Sequence, residues 1–121
     1  MFQNAIPVIQ VSGSVPAVKF YRDDLGFTIV SSWRPDQTKD DPCYMTLARD
    51  SARLHVHSFQ SGTTGGGAAY VFVDHVEALY AELVSRGVSV SSAPIDQTWG
   101  MREIAVRDPD RNVLTFGQRL T

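Results

Sequence analysis

Hydrophobic and polar positions follow two periods along this chain, and the switches between them predict its elements. Val8-Ile9-Gln10-Val11 is a short β-branched run closed by Ser12-Gly13-Ser14, which reads as a strand handing over to a helix. Val15, Val18, Phe20, Tyr21 and Leu25 then recur at helical spacing. Ser14 is the expected N-cap, Pro16 sits in the first turn, and Gly26 ends the helix just after Asp24. Phe27 to Trp33 returns to alternation, and Arg34 to Pro42 is a polar loop. Cys43 to Ala48 and Arg53 to Phe59 read as two more strands joined through Arg49-Asp50-Ser51.

Ser61 to Gly67 is a glycine-rich connector, and after it the same order of elements begins again. Ala69 to Val73 is a strand. Asp74 opens a helix with Val76, Leu79, Tyr80, Leu83 and Val84 on its apolar side, and Gly87 closes it. Val88 and Val90 read as a short strand and Pro94 to Trp99 as a loop. Met101 to Val106 and Val113 to Gly117 form a hairpin through the Asp108-Pro109-Asp110 turn. The repeat holds residue by residue: Phe20-Tyr21 answers Leu79-Tyr80, Leu25-Gly26-Phe27 answers Arg86-Gly87-Val88, and Leu54-His55-Val56 answers Leu114-Thr115-Phe116. Two βαβββ modules in one α+β domain account for this, with 1–60 as the first module, 61–67 as the linker and 68–121 as the second. A half of about 60 residues has too little core to stand alone, so the halves pack together or pair with a partner chain.

Composition narrows the function classes. With 121 residues, 43% of them hydrophobic, the chain can bury a core without help from a metal or disulfide, so any metal has to be functional. Lysine and arginine total 11 against 13 acidic residues, a net charge of −2, and the cations are dispersed. That balance argues against nucleic acid as a partner, because nucleic-acid binders carry a basic stripe. Cys43 is alone, which fits a reducing, cytoplasmic setting. Met1 to Val11 has no basic start, and the longest apolar run, Ala68 to Val73, is far too short to span a bilayer, so no membrane association is expected.

The order strand, Phe-Tyr helix, Leu-Gly-Phe, glycine-rich linker, helix ending in Arg-Gly-Val, and Asp-Pro-Asp hairpin resembles the vicinal oxygen chelate superfamily. That group comprises glyoxalases, bleomycin resistance proteins and extradiol dioxygenases. Ala5-Ile6-Pro7-Val8, the segment from Ala17 to Phe27, Leu79-Tyr80-Ala81-Glu82, Trp99-Gly100-Met101-Arg102-Glu103 and Arg107 to Asn112 look most like the bleomycin resistance proteins. The resemblance covers nearly the whole chain. It implies a curved mixed sheet with a cleft and a homodimer that exchanges its first strand. Fold alone does not choose the chemistry.

Enzymes of this superfamily hold a divalent ion on matching strands of the two modules. The resemblance puts those positions at Ile6, His55, Ala68 or its neighbour, and Thr115. Only His55 is a good ligand, since isoleucine and alanine have no lone pair and a neutral threonine hydroxyl is a poor donor for zinc, nickel or iron. An alternative metal site remains: His55 and His57, two apart on one strand face, could join Glu103 in a two-histidine, one-carboxylate triad for a glyoxalase-like lyase or a dioxygenase. His75, beside a helix start, reads as a solvated neighbour of the cap.

The resemblance to bleomycin resistance proteins implies instead a metal-free protein that sequesters a small aromatic ligand in grooves at the dimer interface. There Trp99 takes the position of the groove tryptophan. Trp33, Tyr44, Tyr70 and Phe72 add rings with large, rigid contact area. His55, His57, Met101, Arg102 and Glu103 complete the predicted lining. Tyr70 and Phe72 share a strand face that lines either the cleft or the core beneath the helix. Arg102-Glu103 could equally be an exposed strand pair, and Asp36, Asp40 and Asp41 a solvated loop. With nearly balanced charge, and Arg34 and Lys39 bordering the groove, a neutral aromatic ligand fits at least as well as a cationic drug. A binding domain that serves another protein as sensor or carrier is the third reading.

Overall fold

A computed structural model of the chain describes residues 1–60 and 64–121. The first stretch of the predicted connector, residues 61–63, lies outside the described residues. Two four-stranded mixed sheets, one in each half of the chain, make up the expected α+β architecture of paired βαβββ modules. The first half runs β1 (Val8–Gln10), helix α1 (Ser14–Val18) continuing as a π-helical turn (Lys19–Asp24), β2 (Thr28–Trp33), β3 (Tyr44–Arg49) and β4 (Ala52–His57). The second runs β5 (Ala68–Phe72), α2 (Val76–Ser85), β6 (Ile95–Asp96), β7 (Met101–Arg107) and β8 (Val113–Arg119). Strand orders are β1-β4-β3-β2 and β5-β8-β7-β6, so each sheet carries one parallel pair between its first and last strands and antiparallel pairs elsewhere. The internal repeat read from the residues is therefore a repeat of topology. β1 pairs with β4 of its own chain, Val8 opposite His55.

Strand alternation divides each sheet into a buried and an open face. Ile9, Met45, Leu47, Leu54 and Val56 of the first sheet join Ile104, Val106, Leu114 and Phe116 of the second in one core. Tyr21, Leu25, Val76 and Leu83 pack into it from the helices. Because apolar residues from both halves share one cluster, neither half has a complete core without the other. Polar ties reinforce the seam. The buried Tyr21 hydroxyl donates to Asp108 at 2.8 Å, Asn112 Nδ2 donates to the Gln10 carbonyl at 2.9 Å, and Arg49 makes a two-pronged contact with Glu82, each prong 2.9 Å.

Several local expectations shift. Gly13, in extended conformation, occupies the N-cap position, and Ser14 is the first helical residue; its N–H donates to Asp41 of the polar loop. The second helix starts at Val76, two residues later than expected, with His75 at the N-cap, and the Val76 N–H donates to Gln118 of β8. Both helix starts are thus satisfied by acceptors remote in sequence, which local patterns cannot reveal. Asp41 is consequently half-buried rather than solvated, and the bonds from Ser58 and Ser14 hold its carboxyl below the usual carboxylate range against the opposing cost of burial. The sixth strand is Ile95–Asp96; Val90 makes only an isolated bridge to Val106. A bulge between Ile29 and Ser31 interrupts the alternation of β2. Both helices end on glycine at positive φ, Gly26 at 78° and Gly87 at 79°.

Candidate functional site

The open sheet faces carry the predicted groove residues, in two clusters. On the first sheet, β3 and β4 place Tyr44 opposite His57 and Thr46 opposite His55, with Trp33 paired to Tyr44 at the edge. The Tyr44 ring stacks on His57 with centroids 5.5 Å apart, and its hydroxyl lies 3.0 Å from Nδ1 of His55. The Phe59 N–H donates to Nδ1 of His57 at 3.2 Å, and the Phe59 ring stacks on Trp33 at 5.9 Å and 7°. Four rings, Tyr44, His57, Phe59 and Trp33, thus form a continuous ladder, and Trp33 is 58% exposed. Phe59 was missed, although His55, His57 and Phe59 follow the two-residue spacing that puts side chains on one face.

On the second sheet, Tyr70 and Phe72 of β5 take the open face and not the helix-covered core, their centroids 5.2 Å apart. Tyr70 reaches across β8 to β7, where its hydroxyl donates to Oε2 of Glu103 at 2.6 Å; Trp99 Nε1 donates to the same oxygen at 3.1 Å. Gly117 makes that reach possible. It lies between Phe72 and Glu103 in the sheet, and a Cβ there would stand 2.6 Å from Tyr70 Cζ and 3.0 Å from Met101 Cε. Loss of solvation, then the bond to Glu103 and its charge, push the Tyr70 phenol up to about 12. Arg119, which the sequence reading also passed over, lies 4.5 Å above the Phe72 ring.

Arg102 does not join this cluster. One residue from Met101 and Glu103, it points to the opposite face, where it bonds Asp96 at 2.6 Å and Glu77 at 3.3 Å. The Asp96 carboxyl is held low by that guanidinium. The Asp108-Pro109-Asp110 segment is the expected turn, yet Asp108 is buried and accepts from Tyr21, Asp110 and both nitrogens of Asn112. Burial and the Asp108 charge push the Tyr21 phenol well above its ordinary range.

No hydrogen bond or ring pair among the described residues joins the two clusters. His55 and His57 lie on the first sheet and Glu103 on the second. Among the described residues, no group of three or more His, Cys, Asp and Glu side chains could hold a metal ion. The positions that the superfamily uses for its metal do not fit one either. Ile6 and Ala68 carry no donor and Thr115 offers only a neutral hydroxyl, facing Tyr70 and Ala105 across the sheet, so His55 is the one good ligand of the four. On the helix-covered side, a cavity of about 500 Å³ lies between the halves, walled by Leu25, Phe27, Val71, Leu79 and Leu83 and by the Arg49–Glu82 pair.

Two mixed βαβββ sheets with uncovered aromatic faces define the class of fold. The chain belongs to the Glyoxalase/Bleomycin resistance protein/Dioxygenase superfamily, whose model matches residues 7–116. A bleomycin resistance protein of Geobacillus stearothermophilus is 25% identical over a 138-position alignment that covers 96% of each protein. The crystal structure of TnmS3, an antibiotic binding protein from Streptomyces sp. CB03234, superposes with a TM-score of 0.74 at 26% identity, covering 98% of both chains. A glyoxalase/bleomycin resistance protein from Streptomyces sp. CB03234 gives a TM-score of 0.75 at 28% identity, over 96% of this chain and all of that one. Among the described residues, no helix is long and apolar enough to cross a membrane.

Proposed function

We propose that this chain is a drug-binding protein of the bleomycin-resistance type, which sequesters a flat, partly apolar small molecule without transforming it. The observation that carries the reading is the pair of open aromatic faces: Trp33, Tyr70, Phe72 and Trp99 are 58%, 42%, 59% and 64% exposed, whereas Phe20, Tyr21, Phe27 and Phe116 are buried in the core. Exposed aromatic clusters beside a well-made core mark a binding surface. Relatives named for bleomycin resistance and antibiotic binding support a drug as the occupant.

The working unit in this reading is a homodimer. The ladder of Trp33, Tyr44, His55 and His57 and the cluster of Tyr70, Phe72, Trp99, Met101 and Glu103 sit on separate sheets, so a groove with both walls is formed when the first sheet of one copy faces the second sheet of another. Two equivalent grooves then follow from two-fold symmetry. The unpaired Cys43 thiol, buried in the core, suits a reducing cytoplasm. Net charge near neutrality favours a neutral aromatic compound over a strongly cationic one.

A tryptophan-fluorescence titration with bleomycin and a panel of aromatic antibiotics tests this. The expected result is saturable quenching at one ligand per chain, indifferent to chelator and weakened roughly tenfold in Trp99→Ala, as loss of a stacked ring implies. Absence of binding across the panel, together with a tightly held metal and turnover of an oxygenated substrate, overturns it in favour of a metal-dependent lyase or dioxygenase.

A further inference from the structure

We infer that the groove selects its ligand through Glu103, and that the occupant is an aromatic molecule carrying a hydroxyl or N–H donor on its ring. This rests on the binding reading above and deepens it. Glu103 leaves the open face of β7 between Met101 and Ala105, inside the ring cluster of the second sheet. Its Oε2 accepts two hydrogen bonds, from Tyr70 and from Trp99, while no donor among the described residues reaches Oε1. The nearby cations are committed elsewhere: Arg102 to Asp96 and Glu77 on the far face, Arg119 to the Phe72 ring. The carboxylate is therefore held by one oxygen and presents the other.

The two holding donors arrive from separate elements, Tyr70 from β5 across Gly117 and Trp99 from the turn before β7. Together they fix the carboxylate plane, so Tyr70 and Gly117 act as positioning residues. A flat ligand laid on these rings removes water from Oε1. A charged oxygen stripped of water and given no donor is costly, whereas one that receives a hydrogen bond is not. Two molecules with the same ring thus differ in affinity according to whether they carry a donor. A hydrogen bond to a charged group corresponds to a discrimination of about tenfold or more.

The test compares 2-naphthol, which donates, with 2-methoxynaphthalene, which has the same ring and only accepts, by fluorescence titration of the full-length protein. Wild type is expected to bind the naphthol about tenfold more tightly. In Glu103→Ala the naphthol falls to the affinity of the methoxy compound. Tyr70→Phe, which releases one of the two bonds that hold the carboxylate, leaves an intermediate ratio, as does Glu103→Gln, which keeps the shape and a neutral acceptor. A purely structural role for Tyr70 would lower both affinities together and leave the ratio unchanged. Equal binding of both probes by wild type overturns the inference while the groove reading stands. Failure of both probes, and of every antibiotic in the panel, removes both.

Discussion

Replacing Gly117 with alanine adds one methyl group to the floor of the second sheet, and the structure specifies what that group meets. The new Cβ stands 2.6 Å from Cζ of Tyr70, closer still to the phenol oxygen, and 3.0 Å from Cε of Met101. All three are atoms toward the ends of side chains, and Tyr70 is 42% exposed, so the ring swings out and the strand stays. The 2.6 Å bond to Glu103 is lost. An exposed bond of this kind contributes about 1 kcal/mol, and alanine recovers roughly 0.5–1 kcal/mol through the less flexible unfolded chain, so global stability changes by less than about 1 kcal/mol. The phenol is the sensitive readout. It stands at about 12 in the wild-type fold and returns toward its ordinary 10.0 once it faces water. A folded-state value above the unfolded one gives a contribution that is full below pH 10 and is lost between pH 10 and about 12, and the variant lacks that segment of the profile. Ultraviolet titration of tyrosinate, with Tyr70→Phe to assign the transition, reads it directly. A Tyr70 transition still near 12 in the alanine variant, or a loss of several kcal/mol, refutes the reasoning.

Three further outcomes are expected. Asp108→Ala strands the buried Tyr21 hydroxyl and the Asn112 amide, and denaturant unfolding should show a loss of about 3 kcal/mol, with the Tyr21 phenol returning toward the ordinary range. Leu83→Ala removes a fully buried side chain that already borders the cavity between the halves, so its cost lies toward the upper part of about 2–5 kcal/mol in the same assay. Glu82 is held below the usual carboxylate range by Arg49, so its contribution is present at neutral pH and lost as acid protonates it. Stability therefore falls below about pH 4, and Glu82→Gln flattens that part of the profile.

Strand alternation was legible wherever one face of a sheet is buried. Leu54 and Val56 go inward and His55 and His57 outward, as their spacing requires, and the same rule places Tyr70 and Phe72 together. The internal repeat was legible because both halves solve the same packing problem with the same order of elements. What stayed hidden depends on tertiary partners. Ile95–Asp96 forms a strand because β7 offers a free edge and Arg102 grips Asp96, while the more β-branched Val88 and Val90 find only one bridge. Asp41 and Gln118 cap helices from 27 and 42 residues away. The Asp108 turn reads as solvent-facing until Tyr21 is seen beneath it. Within the site, alternation alone separates Arg102 from Glu103, whereas the role of Gly117 is visible only once Tyr70 lies across it.

The proposed function requires that this protein hold a ligand rather than transform it. The most direct measurement is native mass spectrometry of the chelator-treated protein mixed at stoichiometry with an antibiotic that quenches its tryptophan fluorescence, followed by recovery of the antibiotic. A two-chain species carrying two ligands, and a recovered compound of unchanged mass, are expected. A one-chain species without ligand, or a recovered compound altered only when metal is restored, contradicts it.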